Sequence, residues 1–165
     1  MSKRVRQYIG LIMAILIYYV IHEGSHLIYA LFLGVFKQIN LMGLGVQIDV
    51  YTEKMSEVQL GIFCIVGSVV TLVIGYVLVI LTNNIVRIES KMFKACMYYI
   101  TVALLLIDPL YLSVLCGFFG GGDMNGIAIL IPELLVRIIY AGIFAINIFI
   151  FFKGVLPKYR KAFKK

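Results

Sequence analysis

Long apolar runs, separated by short polar connections, dominate this chain. From Tyr8 to Phe36 the only charge is Glu23, and from Leu60 to Leu81 there is none. Tyr98 to Phe119 carries only Asp108, and Leu134 to Phe152 only Arg137. A helix needs roughly 20 mainly apolar residues to cross the hydrocarbon core of a bilayer. The pattern therefore predicts an all-α membrane protein with four spans, at about 8–36, 60–81, 98–119 and 134–152. No repeat or low-complexity linker divides it, so residues 1–165 read as one membrane-embedded domain.

Two connections depart from plain loops. Residues 37–57 carry a rough alternation through Leu41, Gly43, Gly45, Val46, Ile48 and Val50, which suggests a short strand or hairpin as readily as a loop. The third span is interrupted twice. Asp108-Pro109 breaks its middle, and Gly120, Gly121 and Gly122 break the chain again before Asp123. Broken backbone at membrane depth is tolerated only where protein or water satisfies the freed polar groups. In the second span, Gly61, Gly67, Ser68, Thr71 and Gly75 are small residues that let helices approach closely.

Composition agrees with the pattern. The chain is 62% hydrophobic and 14% charged, with a formal net charge of +7. The positive charge is segregated. Lys3, Arg4 and Arg6 precede the first span, Arg87, Lys91 and Lys94 lie between the second and third, and six lysines or arginines follow the last. Alternate basic segments are the positive-inside pattern, which predicts both termini in the cytoplasm. The basic tail after the last span reads as a topology signal and an anionic-lipid contact, with no nucleic-acid partner. The first apolar run is about twice the length of a signal-peptide core, so a retained span is expected. These features suit a bacterial cytoplasmic membrane. Cys64, Cys96 and Cys116 are widely spaced and read as packing residues.

The chemistry concentrates in His22-Glu23-Gly24-Ser25-His26, which holds the only two histidines of the chain. On a helix, positions i and i+4 differ by about 40° around the axis, so both imidazoles project from one face. Two such nitrogens can bind one zinc ion, with the adjacent glutamate as general base toward water. A polar patch gluing helices together is the plainer reading. Against it stands cost, because a charge at mid-span is unfavourable by roughly 2.5–3.5 kcal/mol on insertion scales. A catalytic zinc site needs a third protein ligand. Among eight acidic residues, Glu89, Asp49, Glu53, Glu57 and Glu133 fall in connections or at span ends. Asp108 and Asp123 remain, and depth and composition do not choose between them.

At this point the residues resemble the site-2 protease family of intramembrane zinc metalloproteases. His22-Glu23-Gly24-Ser25-His26 matches in the first span. Ile65-Val66-Gly67-Ser68-Val69-Val70-Thr71 is similar to the family's Gly-Pro-x-x-Asn helix, with Ser68 and Thr71 in place of its proline and asparagine. Asp108-Pro109 followed by Gly121-Gly122-Asp123-Met124-Asn125-Gly126 resembles the broken helix in which an Asn/Pro element precedes an Asp-Gly ligand motif. Here Met124 and Asn125 separate Asp123 from Gly126, and Asp108 stands where the family has asparagine. The resemblance implies zinc held by His22, His26 and Asp123, with Asp108 the alternative third ligand, and Glu23 as catalytic base. It implies hydrolysis of membrane-spanning or membrane-inserted peptides. The substrate is expected to pair with the segment around Gly43 and Gly45 by strand addition. His26 lies about ten residues, roughly 15 Å, from the outer end of its span, so water is expected from the outer face. Two other classes compete: a non-catalytic metal-binding membrane protein acting as adaptor, and a metal transporter. A transporter is expected to string ionisable groups along several spans, and few are available here.

Overall fold

A computed structural model describes residues 2–42, 45–118 and 122–164. Among these, four helical segments are long and apolar enough to cross a membrane. Helix α1 spans Lys3–Phe32, α2 Glu57–Ile85 and α3 Lys91–Ser113. The fourth segment is α5, Glu133–Ile150, which continues through a π-turn at Phe151–Val155 into α6, Leu156–Lys164. A short helix α4, Gly122–Ile127, lies between α3 and α5.

The helix ends are set by local chemistry. Ser2, Ser56 and Ser90 cap α1, α2 and α3 by accepting from backbone amides three residues on, and Ser56 with Gln59 forms a reciprocal capping box. Such caps satisfy amides that have no partner within the helix.

After α1 the chain forms an antiparallel hairpin, β1 Phe36–Met42 with β2 Gly45–Val50. The alternation seen in the sequence thus belongs to a true strand pair, although Gly43 lies outside the described residues. Ile48 and Val50 are buried with Ala30 and Val35 at the end of α1, which fixes the hairpin against that helix. On its outer side Lys37 and Asp49 pair at 3.0 Å, and the carboxylate raises the lysine's pKa.

One expectation is corrected. Asp108-Pro109 does not interrupt the third span. Helix α3 passes through Pro109 and ends at Ser113, and a 3-10 turn at Leu115–Gly117 follows. Proline removes the hydrogen bond to the carbonyl four residues back, here that of Leu105. That carbonyl instead accepts from Asn147 Nδ2 of α5 at 2.7 Å, while Asn147 Oδ1 accepts from Tyr76 of α2 at 2.7 Å. The freed backbone group is satisfied from a neighbouring helix, so the helix has no reason to stop. The expected break at Gly120 and Gly121 lies outside the described residues.

Candidate metal centre

The centre is assembled from four helices. Tyr18, His22 and His26 recur at four-residue intervals along one face of α1, and that face is turned toward α2 and α3. His22 and His26 are 6% and 3% exposed. Their Nε2 atoms stand 3.2 Å apart. Such an approach requires space on α2, and Gly67 supplies it. A Cβ at Gly67 would lie 2.5 Å from His26 Nε2 and 2.9 Å from His22 Nε2.

Asp123, in the first turn of α4, brings the third donor. Its Oδ2 is 3.3 Å from His22 Nε2 and its Oδ1 is 3.8 Å from His26 Nε2. Three residues on, Gly126 lets α4 press onto α2: a Cβ there would stand 2.1 Å from Cys64 Sγ. The glycine following Asp123 at this spacing thus has a packing role that carries the carboxylate over the imidazole pair.

Asp108 occupies the other side of His22. Its Oδ1 is 3.2 Å from His22 Nδ1 and accepts from the Tyr18 hydroxyl at 2.5 Å, while its Oδ2 accepts from Thr71 of α2. A buried carboxylate on Nδ1 demands a proton there, which leaves the lone pair on Nε2. Asp108 therefore orients His22, and Asp123 is the acid that meets both Nε2 atoms. Of the two candidates left open by the sequence, the geometry puts Asp123 in the donor set. Tyr18 was not singled out in the sequence, although it lies one turn before His22 on the same face. Thr71 was singled out as a small packing residue and through the family resemblance, with no polar partner assigned to it.

His22, His26 and Asp123 form a donor group that could hold a metal ion. Its dimensions are close to those of a tetrahedral metal site. Ligand bonds of about 2.0–2.2 Å at tetrahedral angles give donor–donor edges of about 3.3–3.5 Å, against the observed 3.2, 3.3 and 3.8 Å. The chemistry fits as well, since two imidazole lone pairs and a carboxylate facing one another repel until a cation lies between them. Nδ1 of His26 is buried without a well-formed hydrogen bond, with the Phe63 backbone beside it. The Phe63 ring packs on the imidazole with centroids 4.9 Å apart.

Glu23 follows His22 on α1. It is half-buried and lines a cleft of ≈ 240 Å³ between α1 and the hairpin, together with Tyr19, Leu27, Ile39, Val46 and Ile48. His22 and Asp123 act on its charge, and the Ile48 backbone faces its carboxylate. Glu133, expected at an outer helix end, begins α5 and pairs with Arg137 at 2.6 Å. Arg137 also donates to the Ser113 carbonyl at the end of α3.

Comparison with family models, with curated proteins and with solved structures finds no match for this chain.

Proposed function

We propose that this protein is a zinc-dependent endopeptidase that cleaves peptide bonds within the membrane, in the manner of the site-2 protease family. The observation that carries this reading is the meeting of three donors from α1 and α4 at tetrahedral spacing, with a carboxylate one residue along α1. Its depth supports a membrane-embedded reaction. His22 stands ten residues before the end of α1 at Phe32, roughly 15 Å from that boundary and so near the middle of a core about 30 Å thick.

His22 and His26 would hold the ion through Nε2 and Asp123 through its carboxylate. Zinc bound there supplies Lewis acidity, which acidifies water and polarises a carbonyl. Glu23 takes a proton from the attacking water on its carboxylate and returns it to the leaving amine. Asp108 keeps the Nδ1 proton in place, with Tyr18 and Thr71 fixing the carboxylate in turn. A structural metal site has no use for a base beside its ligands, which favours catalysis over an adaptor role.

The cleft at Glu23 is the substrate groove in this reading. Its walls from Ile39, Val46 and Ile48 are apolar, which suits an extended segment drawn from a membrane-spanning helix. Such a segment must unwind, because a helical peptide bond is already hydrogen-bonded and shielded. The hairpin offers it backbone partners.

The test is a purified sample with a transmembrane reporter. Glu23→Gln is expected to keep about one zinc per chain and to lose cleavage. His22→Ala and His26→Ala are expected to lose the zinc. Zinc retained without cleavage in the wild-type chain supports the adaptor, and persistent cleavage by Glu23→Gln rejects the mechanism.

A further inference from the structure

The second feature of the molecule that calls for a ligand lies at the opposite end of the bundle from the hairpin. There the end of α2, the start of α3 and helix α6 converge on a shared apolar base of Ile85, Val155 and Tyr159. Above it opens a cleft of ≈ 730 Å³, lined by Arg87, Lys91, Lys94, Lys158 and Lys161, with Glu89 its one acidic residue.

Five cations around one cleft repel one another, and a single carboxylate, that of Glu89, faces the five. Among the described residues none of the five makes an ion pair with an acidic side chain. Lys94 is the telling member. It is 6% exposed, and its ammonium makes one long contact, 3.4 Å, to the Ala162 carbonyl. An ammonium carries three donors, and Lys94, which lines the cleft, places one of them on a protein acceptor. Burying a charge without a counter-charge is costly. Lys91 and Lys94 also occupy the first turn of α3, where the helix dipole disfavours positive charge. Each of these costs is removed by one thing, an anion in the cleft.

We propose that this cleft binds a phosphate-bearing anion. The chemistry is that of a phosphodiester or phosphate group gripped by several ammonium groups and one guanidinium. Two sources can supply it: the headgroup of an anionic phospholipid, or free phosphate. The position fits the headgroup, since the cleft sits at the basic ends of the apolar helices, where lipid phosphates lie. Lys94, one turn into α3, reaches roughly 4.5 Å deeper than Lys91 and meets the phosphate from below. Such a site clamps α6 to α3 and α2.

The experiment uses the full chain, purified in an uncharged detergent. Binding of phosphatidylglycerol, phosphatidylcholine and inorganic phosphate is followed by native mass spectrometry. Phosphatidylglycerol is expected to be retained over phosphatidylcholine. Each cleft cation removed should weaken that retention about fivefold, the equivalent of about 1 kcal/mol, so Lys158→Gln with Lys161→Gln should weaken it about 25-fold. Lys94→Met tests the buried ammonium, and the double variant carries the test should that chain fail to fold. The charge-matched control is Lys153→Gln with Lys164→Gln, which lie at the same end but do not line the cleft. Phosphate that fails to compete with phosphatidylglycerol assigns the site to the lipid headgroup, and phosphate that competes extends it to free anions. Equal retention of both lipids with no phosphate binding, or equal losses in cleft and control variants, overturns the proposal.

Discussion

Removing the carboxylate of Asp108 tests the reading of the centre most sharply, because the two substitutions available there are expected to differ. Asp108 is 1% exposed, and both its oxygens are engaged: Oδ1 with His22 Nδ1 and Tyr18, Oδ2 with Thr71. Asparagine has the same shape. Its carbonyl can keep the place of Oδ1, and its amide can donate to Thr71 Oγ1, whose own proton then goes to the Ser68 carbonyl it already contacts at 2.9 Å. Only the negative charge is lost. Alanine removes the acceptor from His22 Nδ1 and from the Tyr18 hydroxyl, while Thr71 keeps the Ser68 carbonyl. Loss of a group that orients a histidine ligand lowers metal affinity about 10–100-fold, or about 1.4–2.7 kcal/mol. Asp108→Asn should fall at the tenfold end and Asp108→Ala at the hundredfold end. Asp123→Ala, which deletes a donor, should weaken binding more than either. The assay is competition for zinc against a chelator of known affinity, on protein shown to be folded by circular dichroism. If Asp108→Ala abolishes zinc binding as fully as His22→Ala while Asp123→Ala leaves it intact, the assignment of the two aspartates is reversed and the argument from Nδ1 fails.

Two further substitutions probe the helices that frame the centre. Gly67→Ala places a methyl group 2.5 Å from His26 Nε2 and should cut zinc affinity by at least about tenfold by parting the imidazoles, so wild-type affinity in the same competition assay would refute the close approach. Asn147→Leu strands the Leu105 carbonyl and should destabilise the protein by about 1.5 kcal/mol, near the upper end for interhelical hydrogen bonds in membranes. Adding Pro109→Ala restores an amide to that carbonyl and should recover part of the loss, read from chemical unfolding in mixed micelles; no recovery would mean that Asn147 acts in some other way.

The difference between what the sequence disclosed and what it withheld is a difference between distances along one helix and directions between helices. Length and hydropathy place Glu23 and the two histidines near mid-span, and the four-residue spacing puts both imidazoles on one face. Both facts belong to a single helix and need no partner. The hairpin was half legible, since alternation signals a strand but Gly43 and Gly45 serve a loop equally well. Pro109 misled for a physical reason: its local preference is to break a helix, and the group that overrides it, Asn147, lies 38 residues away on another helix. That lone amide in an otherwise apolar run was the available signal. The two aspartates show the same boundary. Both lie near the depth of the histidines, so depth could not separate them. What separates them is the side of the His22 ring each approaches. Tyr18 and Thr71 hold Asp108 against Nδ1, and Gly126 lets α4 carry Asp123 to Nε2. An imidazole offers two nitrogens with opposite duties, one to be held and one to bind. The roles of its two acidic neighbours are fixed only when the packing of α2, α3 and α4 decides which nitrogen each one reaches.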